Sequence, residues 1–392
     1  MRAELDKRAM AALSFGHLAT DFASGALPAL LPFLVSKYDL SYTLAAVVML
    51  VSTLSSSIVQ PFFGLWSDRR GAFWPLPSGV ALGGIGMALA AASPTYGVVL
   101  LFVGLSGLGT AAYHPEGSKF AAYASGRKRA SGMALFSVGG NIGYGLGALA
   151  TTPLVIWLGL RGGLFLMIPC VAAGALLARL SPFLNTFAPE RHGHAARAGE
   201  NRPGAMAVLL SVILFRSLSW FGLLTFVPLW EVSLGHSKSY GNHLLALMLL
   251  AGGVGTLAAG PLADRYGRRT VIIVSSFVSP GLVLIFLLVG GTPGAIALAL
   301  NGVAIIGTYG PTMVLSQEYL PRHIAMASGL AIGFAIGLGG IAAVVLGAVA
   351  DSVDLRTALW VSAVAPVPAF LLSVFLPSTR PRRHLTPETV TP

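Results

Sequence analysis

Long apolar segments alternate along the whole chain with short gaps that are charged or rich in glycine and proline. About 20 mainly apolar residues are enough to cross a bilayer as one helix. The pattern therefore predicts twelve membrane-spanning helices, numbered here as spans 1 to 12, at about residues 11–35, 42–66, 74–92, 95–117, 130–156, 162–180, 205–230, 241–264, 270–290, 294–317, 324–350 and 356–376.

The longest gap separates six spans from six. It is rich in Arg, His, Gly and Pro, which is typical of a linker. We therefore expect an all-α membrane protein in which residues 1–180 form one six-helix bundle and residues 205–377 form a second. Residues 181–204 are predicted to be a cytoplasmic linker, and residues 378–392 a disordered cytoplasmic tail.

The two halves carry the same short charged turn. The segment GLWSDRRG at 64–71 returns 196 residues later as GPLADRYG at 260–267, each time between two apolar runs. Ala-Ser-Gly at 130–132 recurs at 327–329 with nearly the same offset. Such self-similarity indicates a duplicated membrane unit. Two parallel membrane repeats are typical of transporters whose substrate site lies between the halves.

Composition and charge exclude a soluble or nucleic-acid-binding protein. The chain is 55% hydrophobic and 10% charged, whereas soluble domains carry about 25% charged residues. The net charge of +11 is spread over the gaps and forms no basic face. With the N-terminus in the cytoplasm, 20 Lys and Arg residues fall in cytoplasmic segments and 4 in outer ones. By the positive-inside rule, both termini and both repeated turns are expected to be cytoplasmic.

The six-plus-six arrangement, the basic linker and the duplicated turn resemble the major facilitator superfamily. Three further stretches resemble the fosmidomycin resistance family of bacterial efflux proteins: His17-x-x-x-Asp21 followed by two prolines, Gly-Leu-Gly at 107–109 leading to His-Pro-Glu-Gly at 114–117, and Gly-Gly-Asn-x-Gly at 139–143. The resemblance implies a secondary transporter of the cell inner membrane that works by alternating access. It also implies proton-coupled export of a small compound such as a fosmidomycin-like drug, and hence antibiotic resistance.

The chain departs from the superfamily pattern in places that bear on proton coupling. The first turn is followed by Ala72 and Phe73 instead of the basic pair that follows the second turn. Val103 stands in span 4 where many drug antiporters of the superfamily carry an arginine, and glycine-rich span 5 lacks the proline of their motif. The proton route of those antiporters is therefore not carried over to this chain.

Few ionisable side chains fall well inside the spans, and each costs about 2.5–3.5 kcal/mol to insert at the bilayer centre. Asp21 lies about eleven residues into span 1, close to mid-membrane at a rise of 1.5 Å per residue. His17 is one turn earlier on the same helix face. Arg216 lies at a similar depth in span 7, the duplicate of span 1. We therefore expect Asp21 and His17 to bind the coupling proton and Arg216 to bind the substrate.

Asp21 and Arg216 are expected to face each other across the central cavity, because the resemblance places spans 1 and 7 there. Burial disfavours the ionised carboxylate and a nearby guanidinium favours it. An anion that engages Arg216 would weaken the second effect and favour proton uptake on Asp21. The alternative is a structural Asp–Arg or Asp–His pair that holds the halves together.

His114 and Glu116 lie near the predicted cytoplasmic end of span 4, on either side of Pro115. Residues two apart point in different directions on a helix. They are candidates for a proton relay or gate, and the alternative is a helix-end network with Lys119. Together with His17 and Asp21 they also offer imidazole and carboxylate groups that suit Zn²⁺. The spacing repeats no zinc motif, so no metal ligand and no cofactor is assigned.

The remaining candidates fall into two sets. Polar or aromatic residues expected to line the substrate cavity, with simple packing as the alternative, are Asn141, Tyr113, Tyr144, Trp220 and Tyr309. Residues of the repeated turns expected to latch one conformation, with a purely topogenic role as the alternative, are Gly64, Asp68, Arg69, Gly71, Gly260, Asp264, Arg265, Gly267 and Arg268. The two carboxylates among them are also suited to capping a helix N-terminus.

The sequence thus predicts a monomeric antiporter for a small anionic or amphipathic compound, with protons, substrate and membrane lipid as partners and no nucleic acid. Because the chain carries no ATP-binding motif, an ion gradient or the substrate gradient must supply the energy. A nutrient symporter or uniporter shares all of these features. A metal-dependent membrane enzyme or a receptor is the alternative from a different class, and it would need a tight ligand cluster.

Overall fold

The computed structural model describes residues 4–60, 62–63, 73–126, 129–187, 200–322 and 324–377. The first repeated turn, half of the predicted linker (residues 188–199) and the C-terminal tail lie outside these residues. Within them the chain is helical and contains no strand. Eleven helices are long and apolar enough to cross a membrane, and Tyr42–Ser57 is a shorter apolar helix in the position of span 2. The predicted all-α membrane fold is confirmed.

The helices follow the predicted spans in order. They are α1 (Lys7–Tyr38), α2 (Tyr42–Ser57), α3 (Pro75–Ala92), α4 (Tyr96–Ala124), α5 (Arg129–Leu158), α6 (Met167–Arg179, after a 3-10 turn at Leu160–Leu166), α7 (Pro203–Ser233), α8 (Lys238–Tyr266), α9 (Arg268–Val289), α10 (Gly291–Gly307, continued as Tyr309–Tyr319), α11 (Ile324–Ser352) and α12 (Leu355–Val364, continued as Pro366–Ser373). A one-turn helix, Ser181–Asn185, follows α6.

Polar side chains fix the starts of several helices. Asp6, Ser41, Thr95, Ser237 and Asp354 each precede a helix and accept a hydrogen bond from a backbone N–H of its first turn. This bond satisfies one of the donors that a helix start leaves unpaired. The sequence places these starts to within a few residues because the capping residue stands at the edge of an apolar run.

Helix α4 is longer than predicted. It continues to Ala124, about two turns beyond the predicted end at residue 117, because the segment after Pro115 keeps good helix formers and its polar groups pair locally. The placement of His114 and Glu116 at a helix end is therefore wrong, since both lie inside a continuous helix.

Glycines in α5 allow this helix to pack directly on the backbone of α1. A Cβ atom added at Gly139, Gly143 or Gly147 would overlap a carbonyl oxygen of α1, so only a residue without a side chain permits this approach. The corresponding stripe in α11 behaves differently. A Cβ at Gly333 or Gly337 would meet no described atom within 4 Å.

The two bundles meet mainly through α2 against α11 and α5 against α8, which are equivalent pairs in the duplicated halves. Besides the hydrogen bond from Asn141 of α5 to Thr256 of α8, three polar contacts cross this interface. The Asp351 carboxylate accepts hydrogen bonds from the backbone N–H groups of Tyr42 and Thr43, at 2.8 and 2.9 Å. Lys238 Nζ donates to Ser36 Oγ at 2.7 Å. All of these groups lie at the end of the bundle opposite the termini.

The third contact is deeper in the interface. Asn242 Nδ2 of α8 donates to the Ala29 carbonyl and to Thr152 Oγ1, both at 2.9 Å, and the residue is fully buried. It therefore links α8 to α1 and α5 at once. Together the three contacts hold the halves closed at the end remote from the termini.

Replacing Asp351 should weaken this closure. Its carboxylate binds two donors at the start of a helix in the other half, and losing a capping carboxylate typically costs about 1 kcal/mol, or roughly a fivefold change in a conformational ratio. In Asp351→Ala, spin labels at the exposed positions Trp157 and Val353 should show a larger long-distance population than in the parent.

Asp354→Ala is the matched control. Asp354 also caps a helix, through Thr357 N–H at 2.6 Å, but entirely within its own half. The control should leave the label distances as they are in the parent. Equal shifts in the two variants would contradict a specific role for Asp351 in joining the halves.

Candidate transport site

An acidic site lies in the first half, where α1, α4 and α5 meet. His17 Nε2 is 3.3 Å from Asp21 Oδ2, and His114 Nε2 is 3.0 Å from Asp21 Oδ1. The two imidazoles thus hold one oxygen each of the same carboxylate. The three side chains are 13–27% exposed, so they are largely buried and remain partly accessible. We refer to these three residues as the triad.

Helix α5 fixes the orientation of the triad. The Phe136 carbonyl is 2.7 Å from His17 Nδ1, and its ring stacks on the imidazole with centroids 4.1 Å apart. Gly140 lies one turn further along. A Cβ there would come within 2.6 Å of both the Asp21 carboxylate and His17 Nε2. The absence of a side chain at this position therefore makes room for the triad.

The hydrogen bonds of His17 require a proton at this site. A carbonyl oxygen only accepts, so the contact with Phe136 places a hydrogen on Nδ1 of the imidazole. The other ring nitrogen, Nε2, faces the Asp21 carboxylate. Two acceptors on opposite sides of one ring are satisfied only if His17 carries a second proton or if Asp21 is protonated. The contacts of His17 are therefore those of an imidazolium beside a carboxylate, or of a neutral imidazole beside a protonated Asp21.

A basic site occupies the equivalent place in the second half. Arg216 on α7 is 4% exposed, and its Nη1 donates to Thr308 Oγ1 at 2.6 Å and to Thr312 Oγ1 at 2.9 Å. The guanidinium carbon lies 4.8 Å from the centroid of the Tyr309 ring, which is cation–π geometry. No carboxylate among the described residues lies within 4 Å of Arg216.

These two sites are duplicated versions of one pocket. Tyr-His-Pro-Glu at 113–116 on α4 and Tyr-Gly-Pro-Thr at 309–312 on α10 stand 196 residues apart, the same offset as the repeated turns. In both halves this segment packs on the charged residue of the first helix of its bundle. Duplication thus placed an acid in one copy and a base in the other.

Asp21 and Arg216 form no direct ion pair in this structure. Each group takes its partners from its own half: two histidines for the acid, and two threonines with a tyrosine for the base. Of the two structural pairs weighed as alternatives, the structure therefore shows the Asp–His contact and not the Asp–Arg pair. That Asp21 and Arg216 face each other across a central cavity stays a prediction.

His114 and Glu116 take different roles. His114 reaches Asp21, whereas Glu116 is fully buried on the other side of α4 and binds Lys119 Nζ at 2.7 Å. The network with Lys119, weighed as the alternative for the pair, is what the structure shows for Glu116. The geometry brings His114, and not Glu116, into the site around Asp21.

The cavity-lining candidates also separate. Tyr113 is fully buried and donates its hydroxyl to the Leu13 carbonyl at 2.6 Å, and Trp220 is 6% exposed in the core. Both therefore pack between helices. Asn141 donates to Thr256 Oγ1 on α8 at 3.0 Å, so it joins the halves. Tyr144 and Tyr309 are half-buried. Of the five candidates, these two best fit the expectation of side chains that line the substrate cavity.

The described turn between α8 and α9 shows one residue whose backbone demands glycine. Gly267 has φ +93°, a conformation that side chains disfavour, and it separates the two helices. Asp264 and Arg265 are exposed in the last turn of α8, as is Gly260 earlier on the same helix. The expected capping by Asp264 is wrong, because α9 begins after Gly267 without a side-chain cap.

Arg268 is held within its own half. Its Nη1 donates to Glu318 Oε1 on α10 at 2.6 Å, so this bond ties α9 to α10 and does not cross between the bundles. The matching positions of the first turn, Gly64, Asp68, Arg69 and Gly71, lie outside the described residues. Whether the two turns act as latches stays a prediction.

Several site residues were missed by the sequence analysis. Gly140, Thr308 and Thr312 carry no charge and therefore drew no attention as intramembrane groups. The repeat offset held a usable signal, because it aligns Tyr113 with Tyr309 and Pro115 with Pro311. Following it from the histidine site would have led to Thr312 and so to the neighbours of Arg216.

Substituting Gly140 tests the packing of the triad. Gly140→Ala should destabilise the protein by about 1–3 kcal/mol, because the new methyl group overpacks the space of His17 and Asp21. Gly337→Ala is the control on α11, where a Cβ has open space. It should be neutral or gain up to about 1 kcal/mol from helix propensity. Thermal unfolding in detergent checks both variants, and a control as unstable as Gly140→Ala would contradict the assignment.

Comparisons with known proteins bear on the family. The family model of the Major Facilitator Superfamily matches residues 13–344 and 209–391. The MFS-type transporter YfnC of Bacillus subtilis (strain 168) is 30% identical over 94% of this chain and 92% of its own. The fosmidomycin resistance protein of Escherichia coli (strain K12) is 28% identical over 95% and 93%.

Solved structures share the fold at lower identity. A bacterial homolog of the human lysosomal transporter Spinster, in an inward-facing and occupied conformation, superposes with a TM-score of 0.75 at 14% identity, over 94% of this chain and 95% of its own. The transporter FucP in the outward conformation gives 0.66 at 16% identity, over 94% and 99%. Because the family model and the 30% identical relative both cover most of the chain, the chain belongs to the major facilitator superfamily of membrane transporters.

Proposed function

We propose that the protein is a proton-coupled exporter of a small anionic or amphipathic compound that works by alternating access in the cell inner membrane. The observation that carries this proposal is the pair of duplicated sites, one acidic and one basic, buried at equivalent places in the two halves. Transporters of this superfamily bind small molecules and work as single chains. The two sites give such a transporter separate places for a cation and an anion.

The triad is the proposed proton site. Its carboxylate is held by two imidazoles, and the bonds of His17 demand a proton on one side of the pair or the other. Imidazole is the side chain that ordinarily gains and loses a proton near neutral pH. Movement of α1 relative to α4 would separate His114 from Asp21 and change the proton affinity of the carboxylate.

Arg216 is the proposed anion site. It is a buried cation without a carboxylate partner among the described residues, and a buried charge without a counter-charge is costly. A substrate anion would supply that counter-charge. Tyr144 and Tyr309 are proposed to contact the body of the substrate, and Asn141 to support the wall between α5 and α8.

The proposed orientation follows from the excess of basic residues in the termini and the turns on their side. With both termini cytoplasmic, the contacts of Asp351, Lys238 and Asn242 close the periplasmic end. We infer that this is an inward-facing state. The repeated turns are proposed to latch the opposite state, in which the cytoplasmic ends of the bundles come together.

The proposed direction of transport rests on one relative. Resistance to a drug implies export, and the fosmidomycin resistance protein is 28% identical to this chain.

A second candidate is proton symport. The separation of the two sites favours symport, because a proton on the triad and an anion at Arg216 can be bound at the same time. Their charges are opposite, so each increases the affinity of the protein for the other. The gentisate transporter of Corynebacterium glutamicum, 25% identical over 80% of this chain, shows that an anion transporter lies among the relatives.

A metal-dependent membrane protein is the alternative from another class. The ligand atoms of the triad lie within 4.8 Å of one another, and among the described residues this is the one group of three that does so. We assign the triad to the proton, because its groups already satisfy one another. Stoichiometric zinc in the purified protein would reverse that assignment.

Removing the carboxylate of the triad should abolish proton coupling. In proteoliposomes with imposed pH gradients of either sign, Asp21→Asn should lower gradient-driven substrate flux at least tenfold, because the amide cannot take up a proton. Asp39→Asn, outside the spans at the end of α1, is the control and should transport like the parent. The sign of the gradient that drives accumulation separates export from symport.

Undiminished gradient-driven flux in Asp21→Asn would contradict the proposed proton site. A matched measurement on His114→Gln extends the test. Loss of flux in that variant with normal folding is expected if both imidazoles take part. Flux at the parent level would restrict the proton site to His17 and Asp21.

A further inference from the structure

The hydrogen bonds of Arg216 leave one side of its guanidinium unused. Nη1 donates to the hydroxyls of Thr308 and Thr312. Those hydroxyls donate in turn to helix carbonyls, Thr308 to Ile305 at 2.7 Å and Thr312 to Thr308 at 2.6 Å. Both threonines therefore act as acceptors toward Arg216, and their own protons are used within α10.

The other side of the guanidinium consists of Nε and Nη2. Nε is buried and has no hydrogen-bond partner, and Nη2 donates to none of the described residues. A buried donor without a partner costs about 1–3 kcal/mol, so its retention here indicates a ligand that supplies the acceptor. Two parallel N–H groups at a fixed spacing match the two oxygens of one oxyanion.

Charge restricts that oxyanion further. Arg216 contributes a single positive charge, and its described partners, Thr308, Thr312 and Tyr309, are uncharged. A group with one negative charge neutralises Arg216. A dianion would leave an extra, uncompensated negative charge in a site of low dielectric constant and would be disfavoured. The threonine protons, already bonded, do not help to hold a third oxygen.

We propose that the substrate presents a carboxylate to the Nε–Nη2 edge of Arg216, and that the site selects monoanionic carboxylates over dianionic phosphonates. This rests on the proposed function of Arg216 as the anion site and names the class of anion. The half-buried Tyr309 ring lies against the face of the guanidinium and suits an apolar or aromatic body.

The test compares matched pairs of ligands on the purified full-length protein. Calorimetry at about pH 8, above the second ionisation that phosphate-type groups show near pH 6, measures binding of phenylacetate against benzylphosphonate and of two further pairs with the same design. We expect every carboxylate to bind at least tenfold more tightly than its phosphonate. At about pH 5, where the phosphonates carry one charge, the gap should narrow.

Variants locate the binding. Arg216→Lys keeps the charge and loses the two-pronged edge, so carboxylate affinity should fall at least tenfold. Arg161→Lys, at an exposed arginine in the 3-10 turn before α6, should bind like the parent. Because the ligand pairs are compared on the parent protein, the selectivity is measured even if Arg216→Lys folds poorly.

If phosphonates bind the parent as tightly as their matched carboxylates, and both lose affinity in Arg216→Lys, the carboxylate preference is wrong. Arg216 would then remain the anion site. Carboxylate binding that is unchanged in a folded Arg216→Lys would overturn both. No binding of any probe to the parent would likewise contradict a carboxylate site. The proton-coupling role of the triad is judged separately, by the flux of Asp21→Asn.

Discussion

The arrangement of this transporter depends on one constraint: a charge placed inside the membrane needs partners, and each charged group takes its described partners from its own half. Placing an ionised group at the centre of a bilayer costs about 2.5–3.5 kcal/mol on insertion scales. Asp21 is bound by His17 and His114, whereas Arg216 is bound through Nη1 by two threonine hydroxyls and on its face by Tyr309, and its Nε has no partner. Neither charge needs the other half for this. The halves are therefore free to move against each other without breaking an ion pair at their centre, which alternating access requires.

Duplication explains how such a pair of sites arose. The same segment of the fourth helix in each bundle packs on the same position of the first helix, and the tyrosine and proline of that segment are retained in both copies. The copies diverged in the residues between and after them. His and Glu stand in one copy where Gly and Thr stand in the other, so one pocket presents a carboxylate with two imidazoles and the other presents a guanidinium with two hydroxyls.

The sequence predicts the fold well and the site in part. Apolar runs and capping residues determine where helices lie, and these signals are local. Charged residues inside the spans point to Asp21, His17 and Arg216, because their cost is visible without coordinates. The partners of these groups are not visible in this way. Phe136 acts through a backbone carbonyl and a ring face, and Thr308 and Thr312 are ordinary helix residues until α10 packs on α7. The predicted end of α4 at residue 117 is too early, because the helix continues to Ala124. His114 therefore lies well inside the helix, where it contacts Asp21.

The most direct test of a proton site at the triad and a separate anion site at Arg216 is the number of protons taken up or released when the anion binds. A pH indicator in weakly buffered detergent solution measures this on the parent, on Asp21→Asn and on Arg216→Gln. The account predicts proton exchange in the parent, anion binding without proton exchange in Asp21→Asn, and neither in Arg216→Gln. Proton exchange that persists in Asp21→Asn at the parent level would place the coupled proton elsewhere and contradict the account.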